Sequence, residues 1–196
     1  MSGMRMKFRS VYAQVLDLFN RGGTLSGSTT TFGAKTWVKV GVNTTVATCE
    51  NGQVRATSGT GDVPVVIPTG TANFDMSFEI AELRSIPAML TACLRVNTGS
   101  AARYDLVLRT DGTTPQYALA YLSGSTVEYS FQTGIVPVAG DRVRITVENH
   151  HLKFYLNGKL TAETDLAYLG TWQYAGIKFN GTDNETAIKN FAITAL

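Results

Sequence analysis

The sequence predicts an all-β protein, an antiparallel two-sheet β-sandwich preceded by a short N-terminal arm. Three observations predict it. Val143, Ile145 and Val147 alternate with Arg142, Arg144, Thr146 and Glu148, and Leu152, Phe154 and Leu156 alternate with Lys153, Tyr155 and Asn157. A repeat of two sends one set of side chains into a core and the other into water, as half-buried antiparallel strands require. Asn157-Gly158 then offers the positive φ angles of a tight hairpin turn, returning the chain through 160–164. From Trp37 onward, strand-like segments recur about every ten residues, the spacing of a sandwich.

Taken in order, residues 1–20 stand apart from the rest. Phe8, Val11, Tyr12, Val15, Leu16, Leu18 and Phe19 fall near a helical spacing, which fits a short amphipathic helix ending before Gly22-Gly23. Met4, Met6 and Phe8 also alternate with Arg5, Lys7 and Arg9, which fits an extended segment, and both conformations stay open. Either way the apolar stripe must be buried, on its own domain or against a partner chain. Residues 22–35 are a loop of Gly, Ser and Thr, and 37–42 is a strand. Segments 45–50 and 53–57 form a hairpin through Asn51-Gly52. The stretch 64–68 is bracketed by Pro64 and Pro68, which belong at a sheet edge because proline cannot donate to a ladder.

Phe74, Met76, Phe78 and Ile80 alternate with Asp75, Ser77 and Glu79, a half-buried strand. Residues 89–96 are more uniformly apolar, as expected of a strand covered on both faces. Segments 104–109 and 116–122 flank Asp111-Gly112, a third hairpin signal, and 126–131 precedes Pro137 and Gly140. The two alternating strands described first come next, and 175–179 and 187–195 close the domain. So many strands with little helix imply two sheets packed face to face.

At 196 residues the chain suits an arm over 1–16 and one sandwich domain over 17–196. Hydrophobic residues make up 44% and charged residues 16%, which favours a filled core over disorder. A net charge of +2 is too small for a nucleic-acid partner, and Arg5, Lys7, Arg9 and Arg21 read as a solvated arm. The two cysteines make no disulfide framework; Cys93 reads as a buried thiol, and a Cys49–Cys93 bridge stays open. There is no C-x-x-C spacing, and the adjacent His150 and His151 point to opposite faces of a strand. No metal or cofactor is expected. No apolar stretch resembles a secretory signal or approaches ~20 residues, so a soluble protein made in a cytoplasm, without membrane insertion, is expected.

Catalytic machinery is not visible. Glu79 and Glu82 stand three apart, and on a regular strand such positions face opposite ways, so the pair cannot flank one glycosidic bond. No Ser or Cys forms a recognisable motif with His and an acid, and a non-enzymatic protein is expected. A sugar site needs aromatic faces beside polar groups. Tyr155 shares a polar face with Lys153 and Asn157, and Trp172 and Tyr168 stand together in the connection 167–174, so these five are the candidates. The competing reading has Tyr155 merely covering the sheet and Trp172 plugging one end of the sandwich. Asp111, Asp183, Asn184 and Glu185 read as solvated turns and not as a calcium loop. Met4, Met6, Phe8, Val11, Tyr12 and Val15 are the candidate contacts to a partner or to sister copies.

Leu16-Asp-Leu-Phe-Asn-Arg21, then Leu25-Ser26-Gly27-Ser28 and Gly33-Ala-Lys-Thr-Trp37, resemble the opening of a group of bacteriophage virion domains. The strands at 140–147 and 152–159, with 175–179 and 188–193, resemble those of concanavalin A-like and laminin G-like domains. The resemblance, over residues 16–196, implies a jelly-roll sandwich in a virion accessory protein of the tail, tail tip or capsid surface. It implies other virion proteins and copies of the chain as partners, or else a carbohydrate-binding module for host surface glycans. If 17–21 starts the sandwich, the helix shrinks to 4–14.

Overall fold

The structure, a computed structural model, describes residues 14–83, 89–100, 102–109, 116–124, 126–168, 170–180 and 186–196. These form sixteen strands and no helix. In chain order they are β1 (Gln14–Asp17), β2 (Gly23–Thr24), β3 (Val38–Lys39), β4 (Val46–Glu50), β5 (Gln53–Ser58), β6 (Asp62–Pro68), β7 (Phe74–Glu82) and β8 (Met89–Leu94). They continue with β9 (Arg103–Arg109), β10 (Gln116–Ser123), β11 (Thr126–Gln132), β12 (Arg142–Glu148), β13 (His151–Leu156), β14 (Lys159–Asp165), β15 (Tyr174–Asn180) and β16 (Ala187–Ala195). The larger sheet has nine strands in the order β14-β13-β12-β7-β16-β5-β4-β2, with β1 also beside β16. The smaller has seven, in the order β11-β10-β9-β8-β15-β6-β3. Every pairing among these strands is antiparallel.

The alternation read from the sequence sets the core. Phe74, Met76, Phe78 and Ile80 of β7, Val143, Ile145 and Val147 of β12, and Leu152 and Phe154 of β13 all face inward and are buried. They meet Leu94, Leu106, Tyr117, Leu119 and Ile177 of the smaller sheet in one cluster. Each fully buried large apolar side chain contributes about 2 kcal/mol. The hairpins at Asn51-Gly52 and Asn157-Gly158 form with positive φ at all four residues. The sandwich class predicted from the sequence is the one observed.

The N-terminal region differs from the helical reading. Residues 15–19 alternate buried, partly buried, buried, partly buried, buried, a period of two. β1 hydrogen-bonds to β16, with Val15 opposite Ile193 and Asp17 opposite Phe191. A strand docked in a sheet satisfies its backbone and buries alternate side chains, which outweighs helical spacing in a short segment. Val15, expected as a partner contact, is 3% exposed and belongs to the core, so it is not a contact for another chain. Met4, Met6, Phe8, Val11 and Tyr12 lie outside the described residues.

Two smaller differences follow from topology. β6, with its two prolines, is not the outermost strand, because Val38 and Lys39 of β3 pair with Val66 and Val65. Cys49 and Cys93 are both free and buried. Cys49 belongs to the central core, whereas Cys93 joins Val40, Val66 and Val96 in a separate cluster on the opposite face of the smaller sheet.

Candidate functional site

The five sugar-site candidates do not converge; the structure places them in four surroundings. On the outer face of the larger sheet, strand register sets Arg144 opposite Tyr155 and Thr146 opposite both Lys153 and Asp75. Lys153 and Tyr155 line an open depression of about 370 Å³ there, with Asp75, Arg144, Glu148 and His151. Arg144 grips Asp75 at 2.6 Å, and its guanidinium carbon lies 5.1 Å from the centroid of the Tyr155 ring. A cation over the ring takes one of the two faces a sugar would use. His151 bonds to Asp165 at 2.8 Å and Glu163 at 3.2 Å, and these partners raise its pKa above the ordinary value.

Asn157 takes part in the hairpin turn it was expected to form. Its Nδ2 donates to Asp141 Oδ1 at 2.9 Å and its Oδ1 accepts from the Arg142 amide at 2.9 Å. One bond at each end of the carboxamide thus goes to fixing the hairpin turn.

Tyr168 caps an aromatic stack. Its ring lies 4.4 Å from that of Tyr121, which lies 5.3 Å from Tyr104. The Tyr168 amide donates to the Tyr104 hydroxyl at 2.9 Å. The ring is held firmly with 44% of the residue exposed.

Trp172 stands at one end of the smaller sheet, in the connection between β14 and β15. There the chain after β8 and the chain after β6 meet it: the Val96 amide donates to Tyr174 O at 2.9 Å, and the Thr69 amide to Gln173 O at 2.8 Å. The loop 97–100 is folded on itself, because Asn97 Oδ1 accepts from the amides of Gly99 at 2.9 Å and Ser100 at 3.2 Å. The result is a depression of about 280 Å³ lined by Val96, Asn97, Thr98, Thr171, Trp172, Gln173 and Tyr174. Val96 and Tyr174 form its apolar floor, continuous with the cluster of Val40, Val66 and Cys93. No Asp, Glu, Lys or Arg lines it. Among the described residues, the side chains of Thr98, Thr171, Trp172 and Gln173 have no hydrogen-bond partner. Asn97, Thr98, Thr171 and Gln173 escaped the sequence reading, since neutral polar loop residues carry neither periodicity nor charge.

Several charged groups elsewhere are paired within the domain. Lys178, buried on the smaller sheet, lies 3.0 Å from Asp105 and 3.2 Å from Asp62, while Arg103 lies 2.8 Å from Asp105. Glu79 pairs with Lys189 at 3.0 Å and Glu82 with Arg55 at 2.8 Å, so those two carboxylates serve different ion pairs. Among the described residues no group of three or more His, Cys, Asp or Glu is placed to hold a metal ion. Asp111, Asp183, Asn184 and Glu185 lie outside the described residues.

No protein-family model and no curated protein matches the sequence. Solved structures match the fold. The carbohydrate binding module CBM66 from Bacillus subtilis superposes with a TM-score of 0.63 at 14% identity, covering 87% of this chain and 97% of that one. The carbohydrate recognition domain of Emp47p gives 0.58 at 12% identity, over 93% of this chain and 95% of its own. The exoplasmic/lumenal domain of VIP36, in a form bound to Ca2+ and Man3GlcNAc, gives 0.57 at 11% identity, over 82% and 83%. Nothing in these matches bears on a phage particle, so the virion setting implied by residues 16–37 gains no support from them. At such identities the likeness is one of fold, and the chain is a jelly-roll β-sandwich of the kind these carbohydrate-binding domains share.

Proposed function

We propose that this protein is a carbohydrate-binding domain that holds a neutral glycan in the Trp172 depression without hydrolysing it. The observation that carries this reading is the composition of that depression: one half-buried indole ringed by two carboxamides and two hydroxyls, with no ionic side chain. A pyranose ring has an apolar C–H face and a rim of hydroxyls. The indole takes the first, and Asn97, Gln173, Thr98 and Thr171 take the second. A volume of about 280 Å³ sits near the lower end of small-molecule sites (~300–1,000 Å³), which suits a short stretch of glycan. Hydrolysis by the usual route needs a pair of carboxylates, and none lines this site. The names of the first two fold relatives, a carbohydrate binding module and a carbohydrate recognition domain, support the same class.

The test is a glycan array followed by calorimetry on the best neutral oligosaccharide. Trp172→Ala is expected to weaken binding at least tenfold, about 1.4 kcal/mol, while Tyr155→Ala leaves it unchanged. Loss on Tyr155→Ala with retention on Trp172→Ala would move the site to the larger sheet. Absence of any glycan binding would remove the reading. A virion setting rests on the resemblance of residues 16–37 alone; there Asp17, Phe19 and Trp37 are buried in the domain's own core.

A further inference from the structure

Exposed apolar side chains gather on one lateral edge of the sandwich. There β11, the outermost strand of the smaller sheet, lies against β14, the outermost strand of the larger. Val127 and Tyr129 of β11 are 50% and 46% exposed, Leu160 of β14 is 44%, and Ile135, Val136 and Val138, just after β11, are 39%, 52% and 54%. These six are more than half of the eleven large apolar residues exposed on the described surface, too uneven a distribution for scattered surface hydrophobics.

The four sheet edges are not alike. β2 and β3 are two residues long, and β14 carries Lys159, Glu163 and Asp165, devices that discourage further strand pairing. β11 is seven residues long with a single charge, Glu128, and among the described residues it pairs only with β10. Its outer backbone edge is therefore a template for another strand.

We propose that this edge is a two-fold interface at which β11 of one copy pairs antiparallel with β11 of a second copy. A second copy fits better than a charged partner, because the whole stretch 126–138 offers one carboxylate and otherwise apolar or neutral groups. A two-fold interface must be self-complementary. In every antiparallel register except the one centred on Glu128, that carboxylate faces a neutral residue of the other copy. Val127 and Tyr129 then lose water on both copies, and Ile135, Val136, Val138 and Leu160 extend the apolar area beyond the strands. The smaller sheets join into one continuous sheet, with the axis perpendicular to it. Both outer faces then point the same way.

Sedimentation equilibrium of the full chain at micromolar concentration tests this. The expected mass is twice 21.1 kDa. Val127→Lys and, separately, Val136→Asp are expected to bring it to the single-chain value, with circular dichroism and melting temperature held near wild type because both positions are exposed. A chain lacking residues 2–13 is expected to stay dimeric. A monomeric wild type overturns the proposal, as does a dimer that both substitutions leave intact or that the deletion dissolves; the last outcome would place the contact on the N-terminal arm. Mass is measured without glycan, so this result is independent of the sugar-binding reading.

Discussion

The indole Nε1 of Trp37 donates to Asp17 Oδ2 at 2.7 Å, joining two residues 20 apart in sequence inside the core. Asp17 is fully buried and also accepts from the Phe19 amide at 3.0 Å, from both terminal nitrogens of Arg21 at 2.7 and 2.8 Å, and from Thr31 at 3.2 Å. The aspartate, phenylalanine, arginine and tryptophan that stood out in the sequence at 17–37 therefore form one network around a single carboxylate. Their spacing records how the first described strand is fastened to the loop after it.

This network makes stability depend on acid. Burial alone would raise the Asp17 pKa, but hydrogen bonds from Arg21, the Phe19 amide and Trp37 outweigh it and hold the carboxyl below its ordinary value. A depressed folded pKa gives stability that is complete above the unfolded value, about 3.9, and is lost as pH falls below it through the folded value. Asp17→Asn is expected to cost about 3 kcal/mol at pH 7, since it leaves Arg21 without its counter-ion, and to flatten the loss below pH ~4. Urea unfolding at pH 7, 5, 4 and 3 checks this. Equal acid loss in both proteins would show that Asp17 is not the responsible group.

Gly176 is required by space. It sits in β15 between Val66 of β6 and Cys93 of β8, and a Cβ there would lie 2.2 Å from Val65 O and 2.6 Å from Val66 Cα. Backbone cannot swing aside as a side chain can, so Gly176→Ala must push β15 away from β6. A loss of about 3 kcal/mol is expected, lowering Tm by roughly 6–12 °C. Gly22→Ala, with nothing within 4 Å of its Cβ, serves as the control and should stay within about 0.5 kcal/mol of wild type.

Asn157 divides structure from binding. It shares Asp141 with Tyr117, whose hydroxyl donates to Asp141 Oδ2 at 2.6 Å, and with the Val138 amide at 3.0 Å. Removing one donor from this buried carboxylate costs roughly 1.5–3 kcal/mol. Asn157→Ala and Tyr117→Phe are each expected to lose that much in denaturant unfolding while glycan affinity stays at wild type. A selective loss of affinity by Asn157→Ala at unchanged stability would restore Asn157 to a ligand site.

The strands that were legible in the sequence are those whose signal is local. β7, β12 and β13 alternate cleanly, and Asn51-Gly52 and Asn157-Gly158 fix two turns by their own backbone preferences. β1 was not legible as a strand, because its buried positions are Val15, Asp17 and Phe19 while Leu16 and Leu18 are half-buried, so apolar and polar residues do not alternate, and the choice is made by β16 at the other end of the chain. The candidate site was half legible. Trp172 announces itself as an aromatic in a connection, but Asn97 and Thr98 come from a loop more than seventy residues earlier and become neighbours only when β8 pairs with β15.

His151 offers a direct reading of the electrostatics on the larger sheet. It is half-buried at the surface, and its ring bonds to Asp165 and then Glu163 on β14 raise its pKa above the ordinary 6.5. The protonated ring is favoured by both carboxylates, so it stays charged to a higher pH than a free histidine, and the two partners lose it together as pH rises. Nuclear magnetic resonance titration of the ring protons should show an elevated midpoint. Asp165→Asn should lower it, and the double change with Glu163→Gln should bring it back towards the free value. A His151 midpoint that neither substitution moves would show that the ring does not hold these two bonds in solution.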